Sequence, residues 1–333
     1  MDKRTKNILT SIFWVVVAGV LVYFCLRSID WKQFGEALGV CRWEFIILSM
    51  VLGVIALYVR GVRWKMLILP FDASTSALTC FNAYNIGMVA NLALPRAGEV
   101  LKLGYIVKHS AKDADGKHLV TLDKSLGTVI VERLWDGIVL LALGAALIVL
   151  ERDRLGAFLT GNFTGLGSGS LWLIIGAVAL FLAGFVCLSY FLRYKGGIWG
   201  KTWGFIAGIG DGITSFKNMQ KPGLFLLYTA VIWGIYWLMS LSVVWALQDI
   251  EAFTCLTALD AFFIMVVGSL SSIIPVPGGF GTYHGAVAGI LAGIWGIPVG
   301  TGMIFATLNH ESQVVTQALC GLASYVHESF IRK

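Results

Sequence analysis

The residues able to do chemistry gather where two apolar runs are broken. The first break reads Asn91-Leu-Ala-Leu-Pro95-Arg96-Ala-Gly98-Glu99-Val-Leu-Lys102. Pro95 suits the first turn of a helix, where its missing N–H costs nothing. A helix running on from it would turn free N–H groups and its positive end toward the break. Arg96 adds a full charge and a fork suited to phosphate, and Gly98 permits close backbone approach. Glu99 stands three residues from both Arg96 and Lys102, so the three can form one network along a helix face. Burying a charge at the bilayer centre costs about 2.5–3.5 kcal/mol even on the gentler insertion scale. Three charges together demand a partner or water. The chemistry implied is anion or lipid-headgroup binding, or gating. The same charges at the membrane interface would only set helix depth.

The second break reads Ile274-Pro275-Val-Pro277-Gly278-Gly279-Phe-Gly281-Thr282-Tyr283-His284. Pro277, Gly278, Gly279 and Gly281 let the chain turn sharply, and with Pro95 they are the candidate hinge or gate. Gly285, Gly289 and Gly293 follow as a small-residue face for close helix packing. Tyr283 and His284 are the polar groups at the tip.

Two further groups carry charge or polarity inside apolar spans. Glu132 and Asp136 share a helix face, with Arg133 beside them. They are either part of a substrate wall or a salt bridge pinning two helices. In the last span, Asn309, His310, Gln313, Thr316 and Gln317 fall on one face that should point into the bundle or a cavity. Glu311 points away from that stripe and needs another partner. His310, with Glu311 beside it, is a candidate proton-coupling group; a packing histidine held by hydrogen bonds is the plainer alternative.

These groups need membrane elements to position them. The chain has 333 residues, 57% of them hydrophobic, a mean hydropathy of +0.80 and 13% charged residues. A soluble domain would carry about 25% charge, so the chain reads as an all-α polytopic membrane bundle forming a single integral membrane domain over 1–333. Spans of roughly 20 apolar residues are expected at 8–26, 44–64, 128–150, 171–192, 224–247 and 300–325. The first reads as an uncleaved helix, because Tyr23-Phe24-Cys25-Leu26-Arg27 offers no small-residue cleavage site. The stretches 76–107 and 257–297 contain the breaks, and each suits two half-depth helices or two short tilted spans.

Lys3, Arg4 and Lys6 place the N-terminus in the cytoplasm by the positive-inside rule. Arg60, Arg63 and Lys65, the lysines of 108–124, the basic loop 193–222 and Arg332 and Lys333 also read as cytoplasmic. The loops 27–43 and 151–170 read as external, as do Asp249 and Glu251. The breaks then enter from opposite sides, as an inverted repeat with halves near 1–150 and 151–333 would require. The loop 193–222, with Gly200, Gly204, Gly208 and Gly212, suits either an interfacial helix or a flexible connection.

The net charge of +6 is spread between apolar spans rather than gathered in one patch, so no nucleic-acid partner is expected. The six cysteines are scattered, with no metal-ligand spacing, and read as apolar fillers. No catalytic or cofactor motif is present.

The succession Pro95-Arg96-Ala-Gly98-Glu99 with Lys102, then Glu132-Arg133 with Asp136, then Pro275 and Pro277-Gly278-Gly279 with Gly281, resembles the lysylphosphatidylglycerol synthase transmembrane-region family over essentially the whole chain. The resemblance implies a bacterial inner-membrane protein that moves a lipid or lipid-linked molecule between leaflets. It carries the site onto Arg96, Gly98, Glu99, Lys102, Glu132, Arg133, Asp136 and the glycines of the second break. Where the family often has Arg-Glu after the glycine turn, this chain has Tyr283-His284 and so lacks that acid. No internal segment is long enough for an aminoacyl-transfer domain, so lysyl-lipid synthesis is not expected. The expected partner is a membrane lipid, and no cofactor is implied. Two other function classes fit the same residues. One is a membrane scaffold or accessory subunit of an envelope-biosynthesis enzyme. The other is a lipid-donor glycosyltransferase using Glu132 and Asp136.

Overall fold

The computed structural model describes residues 31–94, 97–156, 220–274 and 276–331, with scattered residues in 23–27 and 180–203. The expected span 8–26, and most of 171–192 and 193–222, lie outside the described residues. The helices used below are α1 (Trp31–Val40), α2 (Trp43–Ile68), α3 (Ala77–Ala93), α4 (Ala97–His109), α5 (Leu122–Leu150), α6 (Pro222–Ala246), α7 (Ala258–Ser271), α8 (Thr282–Trp295) and α9 (Val299–Val326). Among the described residues, β pairing is limited to one bridge between Lys112 and His118. The chain is thus an all-α, membrane-type bundle. Helices α2, α5 and α6 are long and apolar enough to cross a bilayer. Helix α9 has 28 residues, a comparable length, but its polar stripe lowers its hydropathy.

The chain divides into two compact units, Met1–Ile130 with Leu224–Lys333, and Val131–Gly223. The second unit holds most of α5 and, further on, Arg193, whose guanidinium lies 3.7 Å above the Tyr190 ring and 4.4 Å above that of Tyr194.

The first unit is built on two helical hairpins that enter from opposite ends. Helices α3 and α4 are about 25 and 20 Å long at 1.5 Å per residue, short of the hydrocarbon thickness of about 30 Å. Asp72, in the turn before α3, accepts a hydrogen bond from the backbone N–H of Ala111, just after α4, at 2.9 Å. The hairpin therefore leaves by the end it entered. Ser76 caps the start of α3 by accepting from the Thr79 N–H at 3.0 Å, leaving that exposed end satisfied.

Helices α7 and α8 repeat this arrangement at the other end. Thr257 and Asp260 form a capping box at the start of α7. Phe263, near that start, meets Trp295 at the end of α8 with ring centroids 5.3 Å apart. Leu256, Ile297, Phe253 and Ala246 share one apolar cluster there.

Helix α9 runs past both hairpins. Its Gly302 packs on Ala288 of α8, where an added Cβ would lie 3.2 Å from the Ala288 Cα. Further along, Gly321 presses on Val89 of α3, and Ser324 accepts from Asn85 Nδ2 at 3.0 Å. The hairpin tips meet: a Cβ on Gly278 would sit 3.3 Å from Leu92 Cδ2, near the end of α3.

Two local expectations are corrected. The stretch 27–43, read as a loop, contains α1, because Phe34, Ala37, Leu38 and Cys41 recur at helical spacing and pack onto the cluster at that end. Gly285 and Gly289 do not form the close-packing face of α8. Each has open space where a Cβ would stand, and Ala288 makes the close contact instead.

Candidate functional site

At the first hairpin tip, α3 ends with Leu94 in extended conformation and α4 begins at Ala97. Pro95 and Arg96 lie outside the described residues. Gly98 is buried against the backbone of Gly87, so close that any side chain would run into the Gly87 carbonyl. Its N–H donates to Asn91 Oδ1 at 2.8 Å. One of the N–H groups expected to face a ligand is therefore taken by the hairpin's own Asn91. Glu99 is half-buried on the first turn of α4.

Lys102 lies one turn deeper and is only 2% exposed. Its Nζ stands 4.1 Å from the Trp64 ring centroid and 3.7 Å from that of Tyr84. Two aromatic faces thus hold the ammonium, each worth about 2 kcal/mol when desolvated. The Tyr84 ring also faces the Arg60 guanidinium at 5.2 Å. Arg60 Nη1 donates to the Tyr236 hydroxyl at 2.7 Å. Arg63 is fully buried and donates from Nη1 to Thr229 Oγ1 at 3.1 Å.

Arg60 and Arg63 were expected to close a span at the cytoplasmic surface. Instead α2 continues to Ile68 and both side chains turn into the bundle. A length signal could have found them: an uninterrupted helix from Trp43 to Ile68 places both arginines at least one turn before its end.

At the second tip, Pro277–Gly279 forms a tight turn, and Gly278, Gly279 and Gly281 have φ of 58°, 76° and 81°. These left-handed values favour glycine. The carbonyl of Gly278 lies 2.9 Å from His310 Nε2 on α9. His310 Nδ1 lies 3.0 Å from Glu311 Oε1, and His284 Nε2 lies 3.5 Å from the same oxygen. Glu311 therefore finds the partner its position required. It also returns an acid to a tip whose local sequence lacks one. Asn309 donates to the Tyr283 hydroxyl at 2.6 Å, and Tyr283 lies against Gly268 of α7. The buried faces of Asn309, His310 and Thr316 place that part of the expected stripe inside the bundle.

Glu132, Arg133 and Asp136 belong to the second unit. Helix α5 begins at Leu122, so Glu132 lies ten residues into it. Glu132 is fully buried, Asp136 half-buried and Arg133 exposed.

The buried cations of the first tip and the glycine turn of the second lie within one sequence framework. A family model described as the lysylphosphatidylglycerol synthase TM region matches residues 11–321. The chain belongs to that family. The match takes in both hairpins and α5, so the two breaks and the Glu132 segment are parts of one family domain. No curated protein and no solved structure matches the chain. Membership makes this an integral membrane protein, in agreement with its long apolar helices.

Proposed function

We propose that the chain translocates an anionic phospholipid or a lipid-linked envelope precursor across the bacterial inner membrane, with both termini in the cytoplasm. The observation that supports this best is the burial of Lys102 on a hairpin too short to cross the bilayer, sharing the Tyr84 ring with Arg60. Charge held at such depth is expensive, and its usual return is a substrate or ion path. Aromatic faces stabilise the cations at that depth. Arg96 would make the first contact with the headgroup, with Glu99 and Lys102 holding or gating it. The turn at Gly278 would act as the hinge.

This reading assigns transport, not catalysis, to the chain. The test is leaflet exchange of labelled phospholipids and polyprenyl phosphates in proteoliposomes. Lys102→Gln and Arg96→Ala should each slow exchange of the true substrate by at least about tenfold, equivalent to about 1.4 kcal/mol. Exchange at wild-type rates in both variants would remove the site.

A further inference from the structure

Three potential ligating groups from α8 and α9 converge at the second hairpin tip. One atom each of His284, His310 and Glu311 lie within 4.8 Å of one another. Both imidazoles are buried and the carboxylate is partly exposed. The hydrogen-bond geometry says what is needed between them. The Gly278 carbonyl can only accept, so the His310 Nε2 beside it carries a hydrogen. In the neutral ring, Nδ1 then presents a lone pair to Glu311 Oε1 at 3.0 Å. Two acceptors this close require a cation between them. His284 Nε2 approaches the same oxygen at 3.5 Å, and its buried Nδ1 has no hydrogen-bond partner among the described residues.

One proton bridges one such pair, whereas one divalent ion satisfies all three groups together. A tetrahedral zinc with bonds of about 2.0–2.2 Å holds its ligand atoms roughly 3.3–3.6 Å apart. The two imidazole–carboxylate separations of 3.0 and 3.5 Å lie close to that spacing, and the two imidazoles lie within 4.8 Å of each other. A backbone carbonyl on the far nitrogen, as Gly278 provides for His310, is also the usual support of a metal-bound imidazole. We propose that His284, His310 and Glu311 bind a divalent transition-metal ion of the zinc class, with three protein ligands and one open coordination position. The ion ties α8 to α9 and, through His310, holds the glycine turn. This inference does not depend on the transport reading.

The test uses the full chain in detergent, tag-free and stripped with a chelator, titrated with Zn2+ by calorimetry and with Co2+ by visible absorption. One Zn2+ per chain and the intense absorption of four-coordinate Co2+ are expected. His284→Ala, His310→Ala and Glu311→Gln should each weaken Zn2+ binding by at least about tenfold. Zn2+ should also raise the unfolding temperature of the wild type but not of the variants. No Zn2+ uptake by the wild type overturns the proposal, as does unchanged affinity in the variants. If the alanine variants fail to fold, Glu311→Gln, which keeps the side-chain shape, decides alone: wild-type affinity there overturns the site.

Discussion

The two hairpins share one backbone design and hold different chemistry. Each enters partway, turns, and leaves by the end at which it began. In the first, α3 and α4 touch through glycine backbone at Gly87 and Gly98, and the groups near the tip are basic side chains on aromatic faces: Lys102 between Trp64 and Tyr84, with Arg60 on the same tyrosine. In the second, the turn itself carries the glycines, and the polar groups are imidazoles and a carboxylate supplied largely by α9. The contrast teaches that a re-entrant hairpin fixes where a group sits in depth. Its neighbours decide which polar groups gather there, basic side chains on aromatic rings in one hairpin and imidazoles with a carboxylate in the other.

The sharpest way to break this comparison is to force the helices of the first hairpin apart. Gly98→Val drives a branched side chain into the Gly87 carbonyl and should cost about 3 kcal/mol or more. Gly285→Ala on α8 fills open space and should be neutral or slightly stabilising. Unfolding of both variants in detergent measures the difference, and equal losses would erase the distinction between glycine that packs and glycine that does not. The next effect belongs to the second tip. His310→Ala leaves the Gly278 carbonyl and Glu311 without their shared partner and should cost about 1–3 kcal/mol. Tyr283→Phe removes only the acceptor of the Asn309 amide, so a loss near 1 kcal/mol is expected in the same assay.

The smallest effect is on acid sensitivity at the base of the first hairpin. Burial alone would raise the Asp72 pKa. Hydrogen bonds from the Ser74 hydroxyl, the Ala111 and Ser74 N–H groups and the Thr75 hydroxyl outweigh it and hold the carboxyl below its ordinary value. Glu328 is similarly lowered: its burial is outweighed by Tyr105, Lys108 and His109. A lowered carboxylate pKa stabilises the fold above the unfolded-state value, about 3.9 for Asp and 4.3 for Glu. That contribution disappears as pH falls through the lower folded value. Thermal unfolding should therefore show a loss of stability below about pH 4–5. In Asp72→Asn the neutral-pH stability should be lower and the acid slope shallower; an unchanged slope would mean that Asp72 is not part of it.

Much of the architecture was legible in residue order. Apolar runs of membrane length mark α2, α5 and α6, and the breaks mark both tips, because span length and turn chemistry are local properties. The left-handed glycines of the second turn could likewise be anticipated from Pro277, Gly278, Gly279 and Gly281. The candidate site was less legible. Arg60 and Arg63 carry the same signal as surface charges that set topology, and only the continuation of α2 to Ile68 takes them inside. The amphipathic pattern of α1 was obscured by the mixed charges around it.

By itself, the sequence determined the family, the helical membrane class, the two interruptions and the kinds of residue placed beside them. Those follow from composition, from periodicity and from motifs read in order. Tertiary structure alone decided that Leu92 meets Gly278, that Lys102 rests between Trp64 and Tyr84, and that Glu311 faces His284 across two helices. Such pairs lie far apart in the chain. No local rule joins them; they meet because close packing of apolar helices leaves each buried polar group few places to find a partner.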